Sequence, residues 1–123
     1  MIKNRKNNAV GYCRFLKTEK GNNYSLEQQK EAIEKYASEK DYHLVRVFQD
    51  AEISGREFNR EGLKEMMEFV SFCEDSAHVL IVSDVSRLFI KLNSKWYSLK
   101  RFLDDNKVRL ESLIHQMNRY IKK

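Results

Sequence analysis

Residues 9–33 read AVGYCRFLKTEKGNNYSLEQQKEAI, and this stretch decides the fold. Residues 9–15 are mostly apolar and a polar run follows them, which is typical of a buried strand that ends in a loop. Ser25 and Gln28 then have the spacing of a capping box, in which each side chain satisfies a backbone N–H at the start of a helix. We therefore predict a strand over residues 9–15 and a helix from Ser25 to about Lys40.

The rest of the chain repeats this alternation of strand and helix. The predicted segments are a strand over 42–48, a loop over 49–59, a helix over 60–74, a strand over 78–82, a helix over 94–105 and a short last strand around Val108 and Leu110, extending to Leu113 at most. This order predicts an α/β fold of three layers, with a mostly parallel sheet and helices on both faces. The expected core includes Met66, Val70, Ile81, Trp96 and Leu99.

Length and composition indicate one soluble domain. The chain has 123 residues, 41% of them hydrophobic and 33% charged, with no proline and four glycines, so we predict a single domain over residues 1–123. The longest apolar run, residues 79–82, is too short to cross a membrane. Cys13 and Cys73 lie in apolar stretches with no secretory signal ahead of them, which favours reduced, buried thiols in a cytoplasmic protein.

The net charge and the absence of common motifs limit the classes of ligand and cofactor that we expect this chain to bind. A net charge of +5 favours an anionic partner such as nucleic acid, although the basic residues are spread along the chain. The chain has no GxxxxGK[ST] loop, no GxGxxG turn and no histidine at metal-ligand spacing, so we expect neither a metal nor a cofactor. Arg14 lies at the end of the first predicted strand, and Ser54, Arg60 and Arg87 follow later ones. At the carboxyl ends of parallel strands these residues can converge on one anion.

Five segments, in this order, resemble the catalytic domain of the serine recombinases, the resolvases and invertases. They are AVGYCRFLKT from residue 9, SLEQQKEAI from residue 25, DAEISGREFNREGLKEM from residue 50, HVLIVSDVSRL from residue 78 and FLDDNKVRLESL from residue 102. Together they cover about residues 9–113. The resemblance implies a resolvase-like, flavodoxin-like sheet with the first strand in its centre, and DNA recombination as the activity of the family.

In that family a serine two residues after the first arginine attacks a DNA phosphodiester, while arginines neutralise the phosphoryl oxygens. Motif matching places five residues of this chain at functional positions: Arg14, Gln29, Ser54, Arg60 and Arg87. The three arginines are the candidates for binding DNA phosphate, because a guanidinium can hold two phosphate oxygens at once. Each also has a plainer interpretation: surface or salt-bridged arginines, an exposed helical glutamine, and a turn at Ser54.

Three positions depart from the family pattern. The pattern Tyr-x-Arg-Val-Ser becomes YCRFL at residues 12–16, so that Leu16 stands at the position of the nucleophilic serine. In the family's Asp-Arg-Leu-x-Arg stretch, the aspartate position is Ser86 and the final arginine position is Ile90. A hydrocarbon side chain cannot form a phosphoester, so the sequence predicts a domain without catalytic activity.

Three hypotheses about function stay open at this point. The first is an inactive domain that associates with an intact recombinase or with its own copies, or that holds the DNA backbone weakly and without sequence preference. The second is an active strand-exchange fragment that uses another hydroxyl, of which Thr18 is the nearest in sequence to Leu16. The third is a protein-interaction module without DNA contact. None of them involves a membrane or a metal.

The last ten residues, IHQMNRYIKK, follow the final predicted strand. We expect them to form a truncated helix over about residues 114–123, with no DNA-recognition domain after it. Ile114, Met117 and Ile121 recur at helical spacing, so this helix has one apolar face, which we expect to dock either on the domain itself or on a protein partner.

Overall fold

Strands and helices alternate along the described part of the chain. A computed structural model describes residues 7–16, 25–52, 61–72, 77–83 and 94–113. The elements are β1 (Asn8–Leu16), α1 (Leu26–Glu39), β2 (His43–Glu52), α2 (Glu61–Phe72), β3 (Val79–Val82), α3 (Ser94–Asp105) and β4 (Arg109–Ser112). This order confirms the predicted alternation. None of the described helices is long and apolar enough to cross a membrane.

The described strands form one sheet in which β1 has a central position. The strand order is β2-β1-β3-β4, and every neighbouring pair is parallel. The chain moves from β1 to β2 on one side and then crosses to β3 on the other side of β1. The strand order therefore reverses between β1 and β3, as predicted for a flavodoxin-like sheet.

Helices cover both faces of the sheet. On one face α2 and α3 pack against the sheet, in a cluster of buried residues that includes Val10, Tyr12, Phe48, Met66, Val70, Leu80, Leu99 and Leu103. On the other face α1 packs against the sheet, in a cluster that includes Ala9, Cys13, Ile33, Tyr36, Ile81 and Leu113. Of the expected core residues, Met66, Val70, Ile81 and Leu99 are buried, whereas the side chain of Trp96 lies outside the described residues. Cys13 is buried, as predicted, and Cys73 lies outside the described residues.

The second strand is longer than the sequence predicts. The prediction ended it at Phe48, because the polar run that follows is typical of a loop. That boundary was wrong, since β2 continues to Glu52 and pairs with β1 as far as Leu16. Within the described sheet β2 is an edge strand, where polar side chains keep their contact with solvent while the backbone pairs.

The helix boundaries follow local hydrogen bonds. The predicted capping box is confirmed: the Gln28 N–H donates to Ser25 Oγ at 3.1 Å, and the Ser25 N–H donates to Gln28 Oε1 at 3.0 Å. After α3, the Lys107 N–H donates to the Asp104 carbonyl at 3.1 Å and the Val108 N–H to the Leu103 carbonyl at 2.8 Å. This pair of bonds is the Schellman motif, which satisfies the last carbonyls of a helix.

Lys107 has the left-handed conformation of this motif, with φ of 59°. A residue with a Cβ adopts this conformation at a cost of about 1 kcal/mol, whereas glycine adopts it freely. We therefore expect Lys107→Gly to raise the free energy of unfolding by about 0.5–1 kcal/mol, measured by urea denaturation. Lys64→Gly in the exposed part of α2 is the control, and it is expected to lower stability by about 1 kcal/mol. Equal losses in both variants would contradict the prediction.

Glu111 connects β4 to α1 and to the turn that follows α1. Its carboxylate accepts hydrogen bonds from the Tyr36 hydroxyl at 2.5 Å and from the Tyr42 hydroxyl at 2.7 Å. The Arg109 guanidinium donates to the Tyr42 hydroxyl at 3.3 Å, and its Nε lies 3.6 Å from Glu111 Oε2. Burial, followed by the hydrogen bond to Glu111, raises the pKa of Tyr42. The cluster holds β4 against the α1 layer.

Candidate functional site

The candidate site lies where the carboxyl end of β1 extends past β3. β1 pairs with β3 only from Ala9 to Tyr12, but it pairs with β2 as far as Leu16. The described pairing of β1 with β3 therefore ends four residues before the end of β1. This is also the point at which the strand order reverses, and ligands of open α/β sheets bind in such a crevice. Arg14 lies in this extension of β1.

Gln29 of α1 completes the backbone hydrogen bonds of Arg14. Its Oε1 accepts from the Arg14 N–H at 3.1 Å, and its Nε2 donates to the Arg14 carbonyl at 2.9 Å. The Asn8 carbonyl accepts from the His78 N–H, so the even-numbered residues of β1 direct their backbone groups towards β3. Arg14 is also even-numbered, so its N–H and carbonyl are directed towards the β3 side as well. The amide of Gln29 therefore takes the position that a longer β3 would occupy.

Both residues are buried, which rules out the exposed interpretation of each. Gln29 has no exposed surface and Arg14 is 2% exposed, so an exposed helical glutamine and a surface arginine are both wrong. Gln29 is buried because it shares the inward face of α1 with Ala32, Ile33 and Tyr36. In this conformation the Arg14 side chain offers almost no surface to a phosphate from solvent.

Asp50, near the carboxyl end of β2, binds the first turn of α2. Its Oδ1 accepts from the Gly62 N–H at 2.7 Å, and its Oδ2 accepts from the Leu63 N–H at 3.1 Å and from the Tyr12 hydroxyl at 2.6 Å. A carboxylate in this position satisfies N–H groups that have no partner within the helix, and it interacts favourably with the helix dipole. Asp50 therefore fixes the start of the helix that Arg60 precedes in the sequence.

Gly62 allows α2 to approach the backbone of β2 closely. A Cβ built at this position would lie 2.3 Å from the carbonyl oxygen of Gln49 and 3.1 Å from Oδ1 of Asp50. Both distances are shorter than van der Waals contact, and the nearer atom belongs to the backbone. The helix therefore takes this position only because residue 62 has no side chain.

Sequence reasoning missed Asp50 and the hydroxyl of Tyr12 as parts of this site. A signal existed for Asp50, since an aspartate that ends a strand ahead of a predicted helix is a capping candidate. Ser54, Arg60 and Arg87 lie outside the described residues, as do Thr18, Ser86 and Ile90. Convergence of the three arginines on one anion therefore stays a prediction. The described segments contain no group of three His, Cys, Asp or Glu side chains that could hold a metal ion.

Comparison with known proteins gives a consistent result. The family model described as "Resolvase, N terminal domain" matches residues 9–121. A resolvase family site-specific recombinase from Streptococcus pneumoniae is similar in structure, with a TM-score of 0.70 and 27% sequence identity. That similarity covers 88% of this chain and 72% of the other. No match was found among curated protein sequences.

Two further solved structures are similar over most of the chain. The C-terminal catalytic domain of ISC1926 TnpA, an IS607-like serine recombinase, has a TM-score of 0.68 and 25% identity, covering 89% of this chain and 69% of the other. The N-terminal catalytic domain of TP901-1 integrase has a TM-score of 0.71 and 19% identity, covering 88% of this chain and 78% of the other. At that identity the second similarity shows the fold alone.

Proposed function

The chain belongs to the resolvase family of serine recombinases, and from this membership we propose that it is a domain of that family that does not cleave DNA. One observation carries the proposal: Leu16, the last residue of β1 and two residues after Arg14, stands where the family pattern has its nucleophilic serine. Leucine has no atom that can attack phosphorus. Ser86 and Ile90 replace a carboxylate and a phosphate-binding charge of the same pattern.

The proposed role is regulatory. A domain that keeps the family's fold but lacks the nucleophile can associate with an intact recombinase, or with its own copies, without contributing cleavage. It can also hold the DNA backbone weakly. The β2-β1-β3-β4 sheet and the Gln29 contact to Arg14 support a framework that is still able to make such contacts. Phosphate contacts position a protein without reading bases, so this binding would be insensitive to sequence and would weaken as salt increases.

We expect the chain to form no covalent adduct with DNA. The assay incubates the protein with duplexes that carry the site of an intact family recombinase and with a pool of randomised duplexes, followed by denaturing electrophoresis and mass spectrometry. The intact recombinase on its own site is the positive control. Leu16→Ser alone is also expected to give no detectable adduct, because the charges that Ser86 and Ile90 replace are still missing.

An adduct that maps to Thr18 would contradict this proposal and support an active fragment that uses another hydroxyl. Cleavage by the Leu16→Ser variant at a rate near that of the intact recombinase would contradict a narrower point, the importance of Ser86 and Ile90. The regulatory role is tested separately, by adding the chain to a recombination reaction of an intact family member. A rate that does not change as the chain is added in increasing excess would count against association with that recombinase.

Burial of Arg14 favours a second candidate, a protein-interaction module without DNA contact. Because Arg14 is almost fully buried, it contributes little to DNA affinity unless the site opens. DNA binding in this conformation therefore depends on exposed residues. Salt-dependent retention of the chain by DNA would favour the first candidate, and no retention at low salt would favour the second.

A further inference from the structure

The outward face of α3 combines an exposed aromatic side chain with exposed cations. Tyr97 is 60% exposed, although it is a large side chain on a packed helix. Lys100 and Arg101 follow it by three and four residues, so the three side chains share one face of the helix. Both cations are exposed, while Leu99 and Leu103 are buried on the opposite side. We refer to Tyr97, Lys100 and Arg101 as the α3 face.

The α3 face is basic, whereas the exposed charges of α1 and α2 are mostly acidic. The exposed charged residues of α1 and α2 are predominantly acidic: Glu27, Glu31, Glu34, Glu39, Glu61, Glu65 and Glu68, against Lys30, Lys35 and Lys64. In α3 the two acidic residues, Asp104 and Asp105, both lie in the last turn. Their position there is unfavourable with respect to the helix dipole, so helix stability does not explain this order of charges.

The cations of the α3 face are available to an external anion. Lys100 lies 3.5 Å from Asp104, but both side chains are more than half exposed, and such surface pairs are weak. Arg101 forms no ion pair with any residue in the described ranges. A phosphate can therefore bind these groups without first breaking a strong interaction.

The topology places the start of α3 towards the same edge of the sheet as the candidate site. α3 connects the carboxyl end of β3 to the start of β4, and the two strands are parallel and in register from Val79 opposite Arg109. A helix in such a crossover runs antiparallel to the strands. The first turns of α3 therefore lie towards the carboxyl ends of the strands, which is where Arg14 and Leu16 lie in β1.

We infer that Tyr97, Lys100 and Arg101 form a contact surface for the phosphate backbone of duplex DNA, separate from the buried Arg14. The inference rests on the DNA-binding part of the proposed function. The two cations would neutralise phosphates, and the Tyr97 hydroxyl would donate to a phosphate oxygen. The exposed neighbours on the helix are the polar Ser98 and the acidic Asp104, which offsets part of the positive charge, and neither supplies the apolar centre of a protein interface. Duplex DNA fits the α3 face better than a protein partner.

The test measures binding of the full chain to a fluorescent duplex of arbitrary sequence by anisotropy, over about 50 to 200 mM salt. The double variant Lys100→Gln with Arg101→Gln is expected to reduce the slope of log K against log salt by nearly 2 and to weaken binding about tenfold. Tyr97→Phe is expected to weaken it about twofold, since it removes one hydrogen bond.

The matched control is Lys30→Gln with Lys35→Gln on α1. It removes the same charge, and Lys35 has an i,i+4 pair with Glu31 at 3.7 Å that resembles the pair of Lys100 with Asp104. This control is expected to leave the salt slope unchanged. Thermal unfolding of each variant shows that the fold is retained, and Lys100→Glu with Arg101→Glu must weaken binding more than neutralisation does.

Three results would overturn the inference. Equal losses in the α3 and α1 variants would assign binding to diffuse surface charge. Competition by polyglutamate as effective as that by duplex DNA would assign the face to acidic peptides. Absence of binding by the unmodified chain at the lowest salt would remove the DNA contact itself. The proposal of a domain that does not cleave DNA is judged independently, because the adduct assay alone decides it.

Discussion

Gly62→Ala is expected to lower the free energy of unfolding by about 3 kcal/mol, near the upper end of the usual cost of overpacking. The added methyl group would lie 2.3 Å from the carbonyl oxygen of Gln49, and a backbone atom cannot move aside as a flexible side chain does. Moving α2 away instead would stretch the hydrogen bond from the Gly62 N–H to Asp50. Thermal unfolding should show a midpoint lower by about 10 °C.

The sign of the stability change in Gly62→Ala distinguishes steric overlap from helix propensity. In an exposed helix the same substitution stabilises by about 1 kcal/mol, because alanine has the higher helix propensity. Lys64→Ala, two residues later on the exposed side of α2, is the control and is expected to change stability by less than about 0.5 kcal/mol. A neutral or stabilising effect of Gly62→Ala would mean that α2 does not approach the β2 backbone as closely as described.

Local sequence patterns were sufficient for most of the fold. The capping box at Ser25 gave the start of α1, and the apolar spacing in α2 and α3 gave their buried faces. The end of β2 could not be predicted in this way. Residues 49–52 are polar and resemble a loop, and they extend the strand because β1 continues beside them as far as Leu16. Such pairing depends on a neighbour that is distant in the sequence.

The site could be predicted only in part. Arg14 and Gln29 were identified through the family resemblance, and the position of Gln29 beside Ala32 and Ile33 on α1 was readable as an inward one. The hydrogen bonds of the Gln29 side chain to the backbone of Arg14 could not be predicted. No spacing rule relates the amide of a helical side chain to the edge of a strand fifteen residues earlier. The contacts of Asp50 with Tyr12 and Gly62 were missed for the same reason, since they join three separate elements.

These contacts give Gln29 and Asp50 a structural role, separate from any role of the site in binding phosphate. Gln29 holds backbone groups near the carboxyl end of β1, where Arg14 lies. Asp50 holds backbone groups at the start of α2, which Arg60 precedes in the sequence. A chain that has lost the nucleophile position can still require both residues in order to fold. Their presence is therefore compatible with an inactive domain, and it is not by itself evidence of catalysis.

Gln29→Leu tests this structural role directly, and it is expected to lower the free energy of unfolding by about 3 kcal/mol. Leucine fills a similar volume, so the change removes hydrogen bonds more than it creates a cavity. It removes the Gln29 amide from the buried N–H and carbonyl of Arg14. Each of these groups that finds no other hydrogen-bond partner costs about 1–3 kcal/mol of stability. Urea denaturation measures the loss, with Lys30→Leu on the exposed side of α1 as the control.

Hydrogen exchange separates this mechanism from general destabilisation. In the unmodified chain the Arg14 N–H is buried and bonded to Gln29, so its amide should exchange slowly, in line with the core of the sheet. In the Gln29→Leu variant the amides near Arg14 should lose protection by a larger factor than those at the amino end of β1, which keep their partners in β3. A uniform change across β1 would indicate lower global stability alone. Unchanged protection at Arg14 together with unchanged stability would show that Gln29 does not hold this end of the strand.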